Sequence, residues 1–160
     1  MKRTVIAVAL ICLLAGLAPK PVQAETDAQL FASFGLMTDD SFKFKDFLWH
    51  LGLNLDLTLN DFLMLSPEVN LVTRNFKFKT FLLEPAVLLN IKFSDSFFAG
   101  AGISKFMVIA EGDYFGSTDV ALKVNLGFFD EHFKFRIYVI TPFNDLFKYS
   151  LIGLQAGLSF

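Results

Sequence analysis

Positions 51–60 read Leu-Gly-Leu-Asn-Leu-Asp-Leu-Thr-Leu-Asn, with leucine at every odd position and a small or polar residue at every even one. Successive strand side chains point to opposite faces, so the segment has one apolar and one polar face; a helix would scatter these leucines around its circumference. The pattern recurs. Leu65, Pro67, Val69 and Leu71 alternate with Ser66, Glu68 and Asn70, and Leu83, Pro85, Val87, Leu89 and Ile91 with Glu84, Ala86, Leu88, Asn90 and Lys92. Val120, Leu122, Val124, Leu126 and Phe128 enclose Ala121, Lys123, Asn125 and Gly127, while Phe133, Phe135, Ile137 and Val139 enclose Lys134, Arg136 and Tyr138. Segments 30–36, 97–103 and 152–160 alternate less sharply. Together these make eight predicted strands.

The connections alternate in length. Asn60-Asp61, Ser94-Asp95 and Asp130-Glu131-His132 are short and built from turn-forming residues. Between them lie longer links, roughly 37–46, 73–80, 110–118 and 141–146. Short turns on one rim and long loops on the other predict an antiparallel up-and-down barrel. Pro67 and Pro85 each remove a ladder donor in mid-strand, where a closed barrel has no free edge. A bulge or locally weak pairing toward strands two and five is the expectation there.

The first 24 residues stand apart. Lys2 and Arg3, an apolar run over 5–18 and Val22-Gln23-Ala24 follow the order of a secretory signal peptide, with cleavage expected after Ala24. The run is too short for a membrane-spanning helix, which needs about 20 residues. Cys12, the one cysteine, lies inside that run after Ile11 and would leave with it, so no disulfide, thiol nucleophile or cysteine metal site is expected in the mature domain, 25–160. Losing Lys2, Arg3 and Lys20 from 14 basic residues against 16 acidic ones leaves the mature chain about five charges negative, which gives no reason to expect a nucleic-acid partner.

Composition then decides which face is outside. The mature part is rich in Phe and Leu, yet no stretch is long enough for a helical span. The polar face carries only Asp56, Glu68, Glu84, Lys92, Lys123, Lys134 and Arg136 as charges. A water-facing surface usually carries about 25–35% charged residues. Gly35, Gly52, Gly100, Gly102, Gly127, Gly153 and Gly157 also share that face. The inside of an eight-stranded barrel has just enough room for side chains, so glycine is useful there and pointless on a wet surface. The polar face is therefore read as the lumen and the apolar face as lipid-facing, in an all-β, eight-stranded antiparallel transmembrane β-barrel.

The sequence ends Ile152-Gly-Leu-Gln-Ala-Gly-Leu-Ser-Phe160, apolar at every second position back from the phenylalanine. This resembles the last strand of bacterial outer-membrane barrels, whose final aromatic residue is part of the signal read by the barrel-assembly machinery. With the signal peptide and eight strands, the chain resembles the small OmpA/OmpX-like outer-membrane β-barrel family. The resemblance implies an outer-membrane location and Phe160 as an assembly signal, and the short turns put both mature termini on the expected periplasmic rim. As a departure from the family, no peptidoglycan-binding domain is expected after the last strand. Members of that superfamily act as envelope stabilisers, adhesins, narrow channels or lipid A-modifying enzymes.

Three sets of residues are candidates for function. Asp56, Glu68 and Glu84 come from strands two to four, and Lys123, Lys134 and Arg136 from strands six and seven, roughly opposite walls of the ring. Buried singly they would be costly, so pairing across the lumen is expected, as a plug or as the lining of a small pore. The two Phe-Lys-Phe-Lys segments put Lys43, Lys45, Lys77 and Lys79 near the outer rim beside Arg74, as candidate contacts to lipopolysaccharide phosphates; a solvated loop is the competing reading. His50 shares the lumen parity and His132 lies in a turn. Neither has a serine partner in its strand, and lipid A deacylases would need a His–Ser pair, so no catalytic residue, cofactor or metal site is assigned. The reading is a non-enzymatic outer-membrane barrel with a filled lumen; a narrow channel and a lipid A-modifying enzyme are the alternatives.

Overall fold

The computed structural model describes residues 27–39, 47–74, 80–110, 113–146 and 149–160. The segment read as a signal peptide, 1–24, lies outside them. The strands are β1 (Ala28–Asp39), β2 (Leu48–Thr58), β3 (Leu63–Arg74), β4 (Thr80–Lys92), β5 (Phe97–Ser104), β6 (Met107–Ala110), β7 (Asp113–Ser117), β8 (Ala121–Phe129), β9 (Phe133–Pro142) and β10 (Leu151–Ser159). All pairings are antiparallel, and β1 pairs with β10 to close the ring. β5 and β6 pair with β4 in one continuous register, so they are a single barrel strand interrupted at Lys105 and Phe106. The result is a closed eight-stranded barrel. Among the described residues β7 pairs only with β6, with a register shift between Val108 and Ile109. The link expected over 110–118 is thus largely a strand hairpin rather than an open loop.

The three short turns share one device. The Oδ1 of Asn60 accepts from the backbone N–H groups of Phe62 and Leu63, at 2.9 and 2.8 Å. Ser94 Oγ accepts from Ser96 and Phe97 in the same way, and Asp130 Oδ1 from His132 and Phe133. A side-chain acceptor two and three residues upstream holds the chain while it reverses. The N–H groups of His132 and Phe133 also hold the Asp130 carboxyl below its usual range. Its contribution to the turn is therefore present at neutral pH and fades as pH falls through that lowered value.

Burial follows the alternation. Leu51, Leu53, Leu89, Leu126 and Ile137 face outward and exposed, while Glu84, Asn90 and Lys123 are fully buried inside. Such inversion suits a closed sheet with lipid outside. The lumen glycines make room for large neighbours. A Cβ on Gly35 would collide with the His50 ring, and one on Gly153 with the Tyr138 ring.

Opposite the prolines the ladder opens without slipping. β2 and β3 pair from Leu48↔Arg74 to Asn54↔Glu68 and resume at Leu57↔Leu65, in the same register, with the positions facing Ser66 and Pro67 unpaired. Between β4 and the β5–β6 strand the break falls at Glu84 and Pro85, although Lys105 N–H still donates to Pro85 O at 3.2 Å. The two prolines are not side by side: Pro67 faces Val87, and Pro85 faces Val69. The expected bulge is absent and the weak pairing is present. Neighbouring pairs hold the register, so a missing donor opens a gap rather than inserting a residue. The amides of Leu55, opposite Pro67, and of Lys105, held by that single hydrogen bond to Pro85, should exchange with solvent faster than those paired between β8 and β9, measured by hydrogen–deuterium exchange on the barrel folded in detergent.

Candidate functional site

The lumen is occupied by two polar layers. In the layer nearer the short turns, Lys134 Nζ meets both Asp56 carboxylate oxygens, at 2.7 and 2.5 Å. Ser66 Oγ donates to the same carboxylate at 2.6 Å and accepts from Asn90 Nδ2 at 2.7 Å. In the next layer Lys123 Nζ bridges Glu68 and Glu84, at 2.5 and 2.7 Å, and Arg136 holds the other oxygen of Glu68. Neutral side chains complete it. Asn70 Nδ2 donates to Glu84 at 3.0 Å, and Gln155 accepts from Arg136 Nε while donating to Ser33 Oγ and Asn70 Oδ1.

All six charges singled out from the sequence meet here, each nearly fully buried. Three carboxylates face three cations, so the set is neutral. Burial raises the cost of any unpaired member, and the close geometry compensates only while every member is present. Sequence parity placed Ser33, Asn54, Ser66, Asn70, Asn90 and Gln155 on the same face, but their role as connectors depends on strand register.

Apolar layers flank the charges. On the short-turn side Phe31 and Phe98 are fully buried, and their rings lie 5.5 and 5.0 Å from Lys134 Nζ. On the loop side Met37, Val72, Phe106, Ala121, Tyr138 and Ile140 form a buried cluster. Tyr138 joins the two regions. Its ring lies 4.5 Å from Lys123 Nζ, and its hydroxyl is 2.8 Å from His50 Nε2. His50 thus has a phenol partner from across the barrel and is itself buried. No pattern within one strand reveals this contact, since it joins residues 88 positions apart.

The remaining candidates stand elsewhere. Arg74 is exposed at the loop end of β3. Lys43, Lys45, Lys77 and Lys79 lie outside the described residues. Lys92 sits at the short-turn rim with its Nζ 5.7 Å from the Phe129 ring. Phe160 is 79% exposed, its N–H directed at Leu30 O.

The geometry gives a stability test. Arg136→Ala removes one of the two cations that hold Glu68 and the Nε donor to Gln155, and should destabilise the barrel by about 3–5 kcal/mol, the usual loss on breaking a buried pair. Replacing both Lys134 and Asp56 by apolar residues of similar volume should cost far less than truncating either alone. Reversible unfolding in detergent checks both; a loss near zero for Arg136→Ala contradicts the network.

No protein-family model matches the chain, and no curated protein matches it. Among solved structures, Neisserial surface protein A superposes with a TM-score of 0.53 at 12% identity, over 82% of this chain and 95% of that one. The de novo designed TMB2.3 gives 0.51 at 12% identity, over 85% and 95%. The Ail attachment invasion locus protein of Yersinia pestis gives 0.49 at 15% identity, over 86% and 100%. The chain shares the fold of a closed antiparallel β-barrel with Neisserial surface protein A and TMB2.3.

Proposed function

We propose that this protein is a non-enzymatic integral barrel of the bacterial outer membrane, contributing to membrane structure and to contacts at the cell surface. The observation that carries the reading is the neutral charge network held between apolar layers. A conducting pore of this size would need a continuous wet path, and a lumen filled by paired side chains is the usual state of eight-stranded barrels. The apolar outer face supports residence in lipid, and the short, capped turns support a periplasmic rim with both mature termini beside it. Lipid and lipopolysaccharide are the partners this reading implies, with Arg74, Lys43, Lys45, Lys77 and Lys79 as candidate contacts. Biogenesis would pass through the barrel-assembly machinery.

Two measurements test the reading. The purified barrel in a planar bilayer should give no discrete conductance steps; regular ohmic steps would favour a narrow channel. Lipid A should have the same mass profile in cells with and without the protein; a shifted acylation pattern would make it a lipid A-modifying enzyme.

Phe160 belongs to the same proposal. Its exposed ring loses little burial on truncation, since full burial of such a side chain is worth only about 1.5–3 kcal/mol. Phe160→Leu should lower the amount of assembled barrel in cells while leaving the unfolding midpoint of refolded protein nearly unchanged. Normal assembly with a large fall in the midpoint would make Phe160 a packing residue only.

A further inference from the structure

The outward face of the barrel is apolar along every described strand, and Lys105 is the one ionisable residue on it among the described residues. It stands at the interruption between β5 and β6, opposite Pro85, with a half-buried side chain. Strand tilt and rise put it roughly 23 Å above the turn at 94–96, close to the top of an apolar band about 25 Å tall. That is the height of lipid head groups on the loop side. Among the described residues its ammonium has no ion pair and no hydrogen bond. Beside it the wall is recessed. Pro67, Pro85, Val87, Ile103 and Val120 line a pocket of about 430 Å³ on the outer surface, with Lys105 on its border. Ser104, 2% exposed, also lines it, and its hydroxyl has no partner. The prolines and the broken ladder shape this dent.

We propose that the recess takes one acyl chain of a phosphate-bearing lipid whose head group rests on Lys105. The pairing follows from the chemistry. An apolar dent in a membrane-facing wall is filled by hydrocarbon, and the lysine stem can run along the apolar surface while its ammonium reaches the interface. A cation at head-group height attracts the phosphate of the same lipid. The inference rests on the barrel residing in a bilayer, as proposed above, and adds a defined lipid site to it.

The test uses the full barrel folded into nanodiscs of phosphatidylcholine doped with phosphatidylglycerol, with retained lipids counted by native mass spectrometry. Wild type should keep phosphatidylglycerol in preference to phosphatidylcholine. Lys105→Gln should cut that preference about fivefold, the ratio one surface lysine supplies, while Lys105→Arg keeps it. Val87→Trp, which fills the dent, should lower the number of retained lipids by one. Lys92→Gln, at the opposite rim, should change nothing. Equal effects of Lys105→Gln and Lys92→Gln, or retention unaltered by both Lys105→Gln and Val87→Trp, would overturn the proposal. Folding is read independently by the electrophoretic shift of unheated barrel. A wild type that never folds into lipid overturns the membrane reading and this proposal together; a folded wild type with no site overturns this proposal alone.

Discussion

A charge removed from water has to find its opposite, and in this barrel six of them do so in a space a few side chains wide. That constraint organises the rest. Neutrality of the lumen needs acidic strands on one wall and basic strands on the other. The ring must therefore close in one register, because a slip by one residue would turn every charge toward lipid. The glycines follow from the same demand. Arg136, His50 and Tyr138 occupy volume that neighbouring strands have to yield, and Gly127, Gly35 and Gly153 yield it.

The outward face obeys the complementary rule. Among the described residues Lys105 is the one ionisable side chain on it, and the backbone satisfies its own hydrogen bonds around the closed ring. Pro67 and Pro85 are the local exceptions. Each opens the ladder where its donor is missing, yet the register continues past the gap on both sides. Pairing is over-determined by the turns below and by the packed lumen within. A defect that would be a liability on a sheet edge becomes a shallow dent in a wall.

Much of this was legible in the sequence, because strand periodicity and lumen chemistry repeat at fixed intervals. The leucines of 51–60 and the isolated charges of β3, β4, β8 and β9 reveal strand, face and sign without coordinates. What stayed hidden depends on which strands meet and at what offset. His50 and Tyr138 come from strands far apart in sequence, so their contact needs the closed ring. The gap in place of a bulge at Pro67 depends on how firmly neighbouring pairs hold. Lys105 lies two residues beyond the clear alternation of 97–103, and only an extension of that alternation puts a lysine on the lipid face. The hairpin of β6 and β7 stays hidden because its segment has no regular alternation.

A lumen filled by paired charges leaves no continuous path for water, and proton exchange tests that most directly. Ammonium protons of exposed lysines exchange with water too fast to be seen at neutral pH. In nitrogen-15 spectra of the barrel folded in micelles, the Nζ protons of Lys123 and Lys134 and the Nε proton of Arg136 should be visible and slowly exchanging. Their disappearance at neutral pH, in a protein whose strand amides remain protected, would contradict a sealed network and describe a wet pore.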